Sequence, residues 1–355
     1  MTTLLNIRPL HRFSTRLGAW LFLLFSATPL AGRAGLKPKL IDASVQKPSN
    51  VAVYFTVDTS KGEPVPGLTA EQFHIYEDKK LVSPFESKQV ILNPEVAAQH
   101  YTLLLVDMSG SVTQAGQGVQ QLQEAVNRFT ERVSQFQQTA IYGFDGRPEI
   151  VPIRGFSGSG GPASLSGFST KDPSTNLNGA VIKALEVLQK QLDMAPVPLT
   201  HGTLVVFTDG TDQAHRVQPK DVVQAVRQTD LDVFVIGVGS EIDEKELRSL
   251  GKNGAALSRN PETVGAEFDK IAMRIEGYTK RFYLLSYCSP SRAGEHELRI
   301  EPVAPDGKKG KLKYRFSAEG FGPNCDPNRK PSFDLKRPGL DKGKPPAKGV
   351  KRAGR

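Results

Sequence analysis

The stretch YTLLLVDMSGSV, residues 101–112, decides how the chain is read. A mostly apolar run from Tyr101 to Val106 ends abruptly in Asp107, Ser109 and Ser111. A short apolar run bounded by turn residues predicts a strand buried on both faces, as at the centre of a parallel sheet. Ligands of open α/β sheets gather at the carboxyl ends of such strands. Asp107-x-Ser109-x-Ser111 thus puts one carboxylate and two hydroxyls on a rim loop. All three are hard oxygen donors, suited to Mg²⁺ and unsuited to soft metals. Taken alone, the same residues also make an ordinary strand-to-helix turn with Ser111 as a cap.

Outward from this stretch, strands and helices alternate. Gln117 to Val133 has helical spacing, with Val119, Leu122, Val126 and Phe129 on one face. Strands are predicted at 139–145, 149–156, 203–209 and 231–239, and helices at about 178–192, 219–228, 243–250 and 261–280. The Gly/Ser-rich stretch 155–169 reads as a mobile loop that packs no core. Alternation of this kind predicts an α/β fold, a doubly wound and mainly parallel sheet covered on both faces.

The flanks are β in character. Before the α/β segment, Val51, Val53, Phe55 and Val57 alternate with smaller or polar residues, predicting a half-buried strand among about four. After Lys280, RFYLLSYC, HELRIEPV and KLKYRFSA are three strand candidates. Seven strands match the count of an immunoglobulin-like sandwich. Residues 37–95 and 281–320 are therefore expected to form one β-sandwich into which the α/β domain is inserted. The expected division is 1–34, 35–98, 99–280, 281–325 and 326–355.

Charge and cysteines narrow the class. Residues 1–34 hold four Arg, no acid and the apolar run Leu17–Leu30, the layout of a signal peptide. An exported protein, periplasmic, cell-surface or extracellular, is expected, with an uncleaved anchor as the alternative. Residues 326–355 hold ten Lys or Arg against three Asp. Of the net +9, +4 and +7 thus belong to the ends, leaving −2 for 35–325. Basicity confined to a tail gives no nucleic-acid-binding domain. The tail reads as disordered, able to contact an anionic envelope surface or simply to stay solvated. Cys288 and Cys325, an even pair without CxxC spacing, are disulfide candidates in an oxidising compartment, buried free thiols being the alternative.

Two further pieces join the opening stretch: Ser174-Thr175-Asn176 before a helix, and VVFTDGTD, in which Asp209 ends an apolar strand. Together the three offer two carboxylates and three hydroxyls on one rim. The order DxSxS, then Thr before a helix, then a strand ending in TDG resembles the von Willebrand factor A (VWA) domain over about residues 99–279. The resemblance implies a metal-ion-dependent adhesion site (MIDAS) at Asp107, Ser109, Ser111, Thr175 and Asp209. It also implies Mg²⁺ as cofactor, with Mn²⁺ or Ca²⁺ as substitutes, and a protein partner that supplies a Glu or Asp as the last ligand. GLTAEQF and YED, around 67–78, are similar to bacterial exported VWA-related proteins. No GxxxxGK[ST], HExxH or GxSxG occurs, so no enzyme is expected. A metal-dependent hydrolase with His201 or His215 as base, or a structural envelope protein with an idle site, are the alternatives.

Overall fold

The structure, a computed structural model, describes residues 35–113, 117–159 and 161–334. The expected signal peptide, and residues 335–355 of the expected basic tail, lie outside the described residues. Among those described, no helix is long and apolar enough to cross a membrane.

The chain begins with β1 (Leu36–Gln46), β2 (Asn50–Thr59), β3 (Phe73–Glu77), β4 (Lys80–Leu81) and β5 (Val90–Leu92). The α/β part runs β6 (Ala98–Asp107), α1 (Gly110–Thr113), α2 (Gln117–Val133), β7 (Gln138–Phe144), β8 (Val151–Ser157), α3 (Leu177–Met194) and β9 (Leu199–Thr208). It continues with α4 (Pro219–Gln228), β10 (Asp232–Val238), α5 (Glu244–Leu250), β11 (Gly254–Ser258) and α6 (Val264–Thr279). The chain then returns to β with β12 (Phe282–Cys288), β13 (Glu295–Pro302) and β14 (Leu312–Ser317).

The central sheet has the order β11-β10-β9-β6-β7-β8, parallel except for the antiparallel edge strand β8. Side chains alternate across a strand, so β6 feeds two cores. Leu104 and Val106 pack with α2 and α6 residues such as Leu122, Phe129 and Phe268. Leu103 and Leu105 pack on the opposite side with Leu177, Leu188 and Val226 of α3 and α4. From β6 the chain moves outward to β7 on one side and later to β9 on the other. The crevice between the ends of β6 and β9 is thus a topological switch point.

The flanking strands pair with one another. β12 lies between β2 and β5, and β13 between β14 and β3, giving two four-stranded sheets. Val51, Val53, Phe55, Phe73, Ile75, Leu285, Tyr287, Leu298, Ile300 and Phe316 fill the space between them. Eight described strands belong here rather than seven; β1 and the short β4 and β5 replace the simpler pattern read from sequence. Cys288 and Cys325 are bonded, with Cα atoms 5.7 Å apart.

Three readings need correction. β2 is buried on both faces, not half-buried: Ala52 and Tyr54 face a second cluster with Phe282, Leu284, Leu199 and Phe333. That cluster joins the β1-β2-β12-β5 sheet to the base of the central sheet. The Gly/Ser-rich stretch does contribute to a core, because Ala163 and Leu165 are buried against α2. The Gln123 side chain holds it there, accepting from Leu165 N at 2.6 Å and donating to the Ala163 carbonyl. The segment 326–334 is not loose, since Phe333 is buried and Ser332 N donates to Ser44 Oγ at 3.0 Å.

Candidate metal centre

The β6–β9 register explains how the site is assembled. Val106 pairs with Phe207, so Asp107 and Thr208 stand side by side as both strands end. Thr208 Oγ1 donates to Asp107 Oδ2 at 2.7 Å, and Ser109 N donates to Asp107 Oδ1 at 2.9 Å. Asp107 is thereby fixed at the bottom of the crevice, fully buried. Beyond it runs a chain of hydroxyls. Ser109 Oγ lies 3.2 Å from Ser111 Oγ, and Ser111 Oγ donates to Asp209 Oδ1 at 3.0 Å. At the end of β10, Gly239 (φ 149°) lets the backbone pass the Asp209 carbonyl, which a Cβ would meet at 2.6 Å.

Thr175, also buried, joins this group through its main chain. Its carbonyl accepts from Gln213 N at 2.8 Å and Ala214 N at 3.0 Å, on the loop after Asp209. Asp212 tightens the same junction by accepting from Asn178 N in the first turn of α3 at 3.0 Å. On the other side, Gly110 N donates to the Pro173 carbonyl at 2.8 Å. The loops carrying Asp107, Thr175 and Asp209 are thus bonded to each other in a ring.

The electrostatics of this ring call for a cation. Among the described residues, no Lys, Arg or His forms an ion pair with Asp107 or Asp209. Burial, reinforced by the Asp209 charge, pushes the Asp107 carboxyl up to about 7 against the bonds from Thr208 and Ser109. Burial also raises Asp209, whose bond from Ser111 opposes it. One buried and one half-buried carboxylate facing hydroxyl oxygens, with no cationic partner among the described residues, fit a hard divalent ion. No group of three or more His, Cys, Asp or Glu side chains suited to a metal occurs among the described residues. Three of the five oxygen donors here are neutral hydroxyls.

The sequence model of the von Willebrand factor type A domain matches residues 103–264. Residues 103–264 are a VWA domain. The solved structures similar to this chain include a von Willebrand factor type A protein from Catenulispora acidiphila. It is 11% identical, with 81% of this chain and 74% of that one covered, at a TM-score of 0.41. Manganese-loaded TRAP protein of Plasmodium vivax is 12% identical, covering 71% and 100%, at 0.39. Proximal thread matrix protein 1 of the mussel byssus, with a zinc-occupied MIDAS motif, is 15% identical, covering 57% and 49%, at 0.41. No curated protein sequence matches the chain at a significant level.

In this VWA domain the two histidines considered as bases part company. His201 sits at the start of β9, about 25 Å of extended strand from Asp209. It is bonded instead to Asp232 at 2.7 Å. His215 is on the rim, 81% exposed at its side chain, with Nδ1 3.7 Å from Asp212 Oδ2. Thr208, bonded to Asp107, and Asp212, bonded to Asn178 N beside the Thr175 loop, were missed from sequence. Both stand in TDGTD, so a polar neighbour of Asp209 was the available signal.

Proposed function

We propose that this chain is an exported, non-enzymatic binding protein whose VWA domain engages a protein partner through a divalent cation. Asp107, Ser109, Ser111, Thr175 and Asp209 would hold the ion, with Mg²⁺ favoured by the all-oxygen donor set. The observation that carries this reading is the run of oxygens from Ser109 and Ser111 to Asp209, closed at its buried end by Asp107, with no cationic side chain paired to either carboxylate among the described residues. When bound, the ion would supply the positive charge this crevice lacks and a coordination place for a partner's Glu or Asp. The chain's own part is to hold the oxygens: Thr208 and Ser109 N orient Asp107, and Ser111 orients Asp209.

The two flanking sheets are read as one immunoglobulin-like sandwich, with the VWA domain inserted between β5 and β12. The pairing of β2 with β12 and of β3 with β13 supports that reading. The partner interaction is tested by affinity capture from envelope extract with Mg²⁺ and with EDTA, repeated with folded Thr175→Ala and Ser109→Ala variants. Capture of a protein that is lost in EDTA and in both variants is the expected result. Equal capture without metal would place the binding surface elsewhere.

A further inference from the structure

The end of β7 carries a buried carboxylate that the five expected ligands do not include. Asp145 is fully buried. Its Oδ1 accepts from Arg147 N and Arg147 Nε, both at 2.9 Å. Its Oδ2 accepts from Arg147 Nε at 3.0 Å, Lys171 N at 2.9 Å and Asp172 N at 3.4 Å. Its main-chain oxygen accepts from Asn176 N at 3.1 Å, the residue after Thr175.

The neighbours of Asp145 continue the pattern in both directions. The Phe144 carbonyl accepts from Met108 N at 2.7 Å, between Asp107 and Ser109. Gly146 N donates to the Asp172 carbonyl at 3.1 Å, and the Arg147 carbonyl accepts from Asn176 Nδ2 at 2.8 Å. Four consecutive residues, 144–147, therefore grip the loop 107–111 with one hand and the loop 170–176 with the other. A carboxylate is buried only when its charge and hydrogen bonds are satisfied. Here the donors are two main-chain N–H groups of the Thr175 loop and the paired Arg147. The carboxylate thus dictates the path of that loop.

We propose that Asp145 is a positioning residue for the metal centre, holding the loop 170–176 so that Thr175 faces Asp107 and Asp209. The inference rests on the metal reading above. A second feature of the same brace supports it. A Cβ on Gly146 would run into the Asp172 carboxyl and the Ser174 hydroxyl, so the loop lies closer to β7 than any side chain at 146 permits.

The test is a double-mutant cycle on the full chain, with Mn²⁺ as probe and affinity read by calorimetry and water-proton relaxation. Asp145→Asn keeps the shape but turns an amide NH₂ toward the Lys171 and Asp172 N–H groups. It is expected to weaken Mn²⁺ binding about 10- to 100-fold, the usual effect of losing a group that orients a ligand. In a Thr175→Ala background the same change is expected to weaken binding no further. Unchanged affinity in Asp145→Asn, even with a lowered melting temperature, overturns the proposal; so do factors that multiply in the double variant. If Asp145→Asn does not fold, Gly146→Ala takes its place in the cycle. It wedges the loop outward while leaving the Asp145–Arg147 pair intact, with the same outcomes expected and the same results decisive. Failure of wild-type chain to take up Mn²⁺ overturns the metal reading itself, and this proposal with it.

Discussion

His100 offers a pH-dependent test of how the VWA domain is seated on the β-strands that flank it. It lies on β6 opposite His201 of β9, with ring centroids 5.7 Å apart, and 4.8 Å from the ring of Phe282. Its Nδ1 is buried without a hydrogen-bond partner. Burial, then the nearby His201, outweighs the attraction of Asp232 and lowers the imidazole to about 3 from 6.5. The unfolded chain therefore takes up a proton near 6.5 that the folded chain refuses. Stability from this group is intact above 6.5 and falls by about 1.4 kcal/mol per pH unit below it. Between pH 7 and pH 5 the loss is about 2 kcal/mol. His100→Phe keeps a ring between His201 and Phe282 but cannot titrate. It carries an overpacking cost of about 1–3 kcal/mol at both pH values. Urea unfolding with EDTA present, followed by far-UV circular dichroism because the single Trp is Trp20, measures both proteins at both pH values. Wild type should lose about 2 kcal/mol more than the variant on acidification. Equal losses would refute the argument.

Arg281, 11% exposed at its side chain, pairs with Asp58 at 3.2 Å and Asp232 at 3.3 Å where α6 passes into β12. Arg281→Met should cost about 3 kcal/mol in urea unfolding, because it takes the shared cation from half-buried Asp58 and from buried Asp232, which keeps only its His201 and Asn253 bonds. Cys288→Ser opens a link between residues 37 apart in sequence. Loop entropy gives about 4 kcal/mol for it, read as a shift in unfolding midpoint that reducing agent reproduces in wild type. Thr208→Val removes the 2.7 Å bond to Asp107 and should weaken metal binding about 10-fold or more by calorimetry.

The VWA fold was legible because its strands carry continuous apolar runs and its helices carry one-sided stripes. β6 shows why: a strand covered on both faces needs Leu103 and Leu105 for one core and Leu104 and Val106 for the other. The three pieces that carry the proposed ligands were legible because each puts oxygen donors where an apolar strand ends or a helix begins. β11 escaped because GAALS is short and small, and its pairing with β10 supplies what its composition does not. The burial of Leu165 and Phe333 escaped because their partners, on α2 and at the β2–β12 junction, are remote in sequence. Asp145 escaped for the same reason. Its meaning lies in N–H groups at 171 and 172, and nothing in GFDGRP announces them.

The central claim is that the crevice between β6 and β9 takes up a divalent ion. Titration of Mg²⁺ and of Mn²⁺ into the EDTA-stripped chain by calorimetry tests it most directly, with folded Asp209→Ala alongside. The account predicts saturable uptake of one ion by wild type and none by the variant. No uptake by wild type at millimolar metal, or equal uptake by Asp209→Ala, would contradict it.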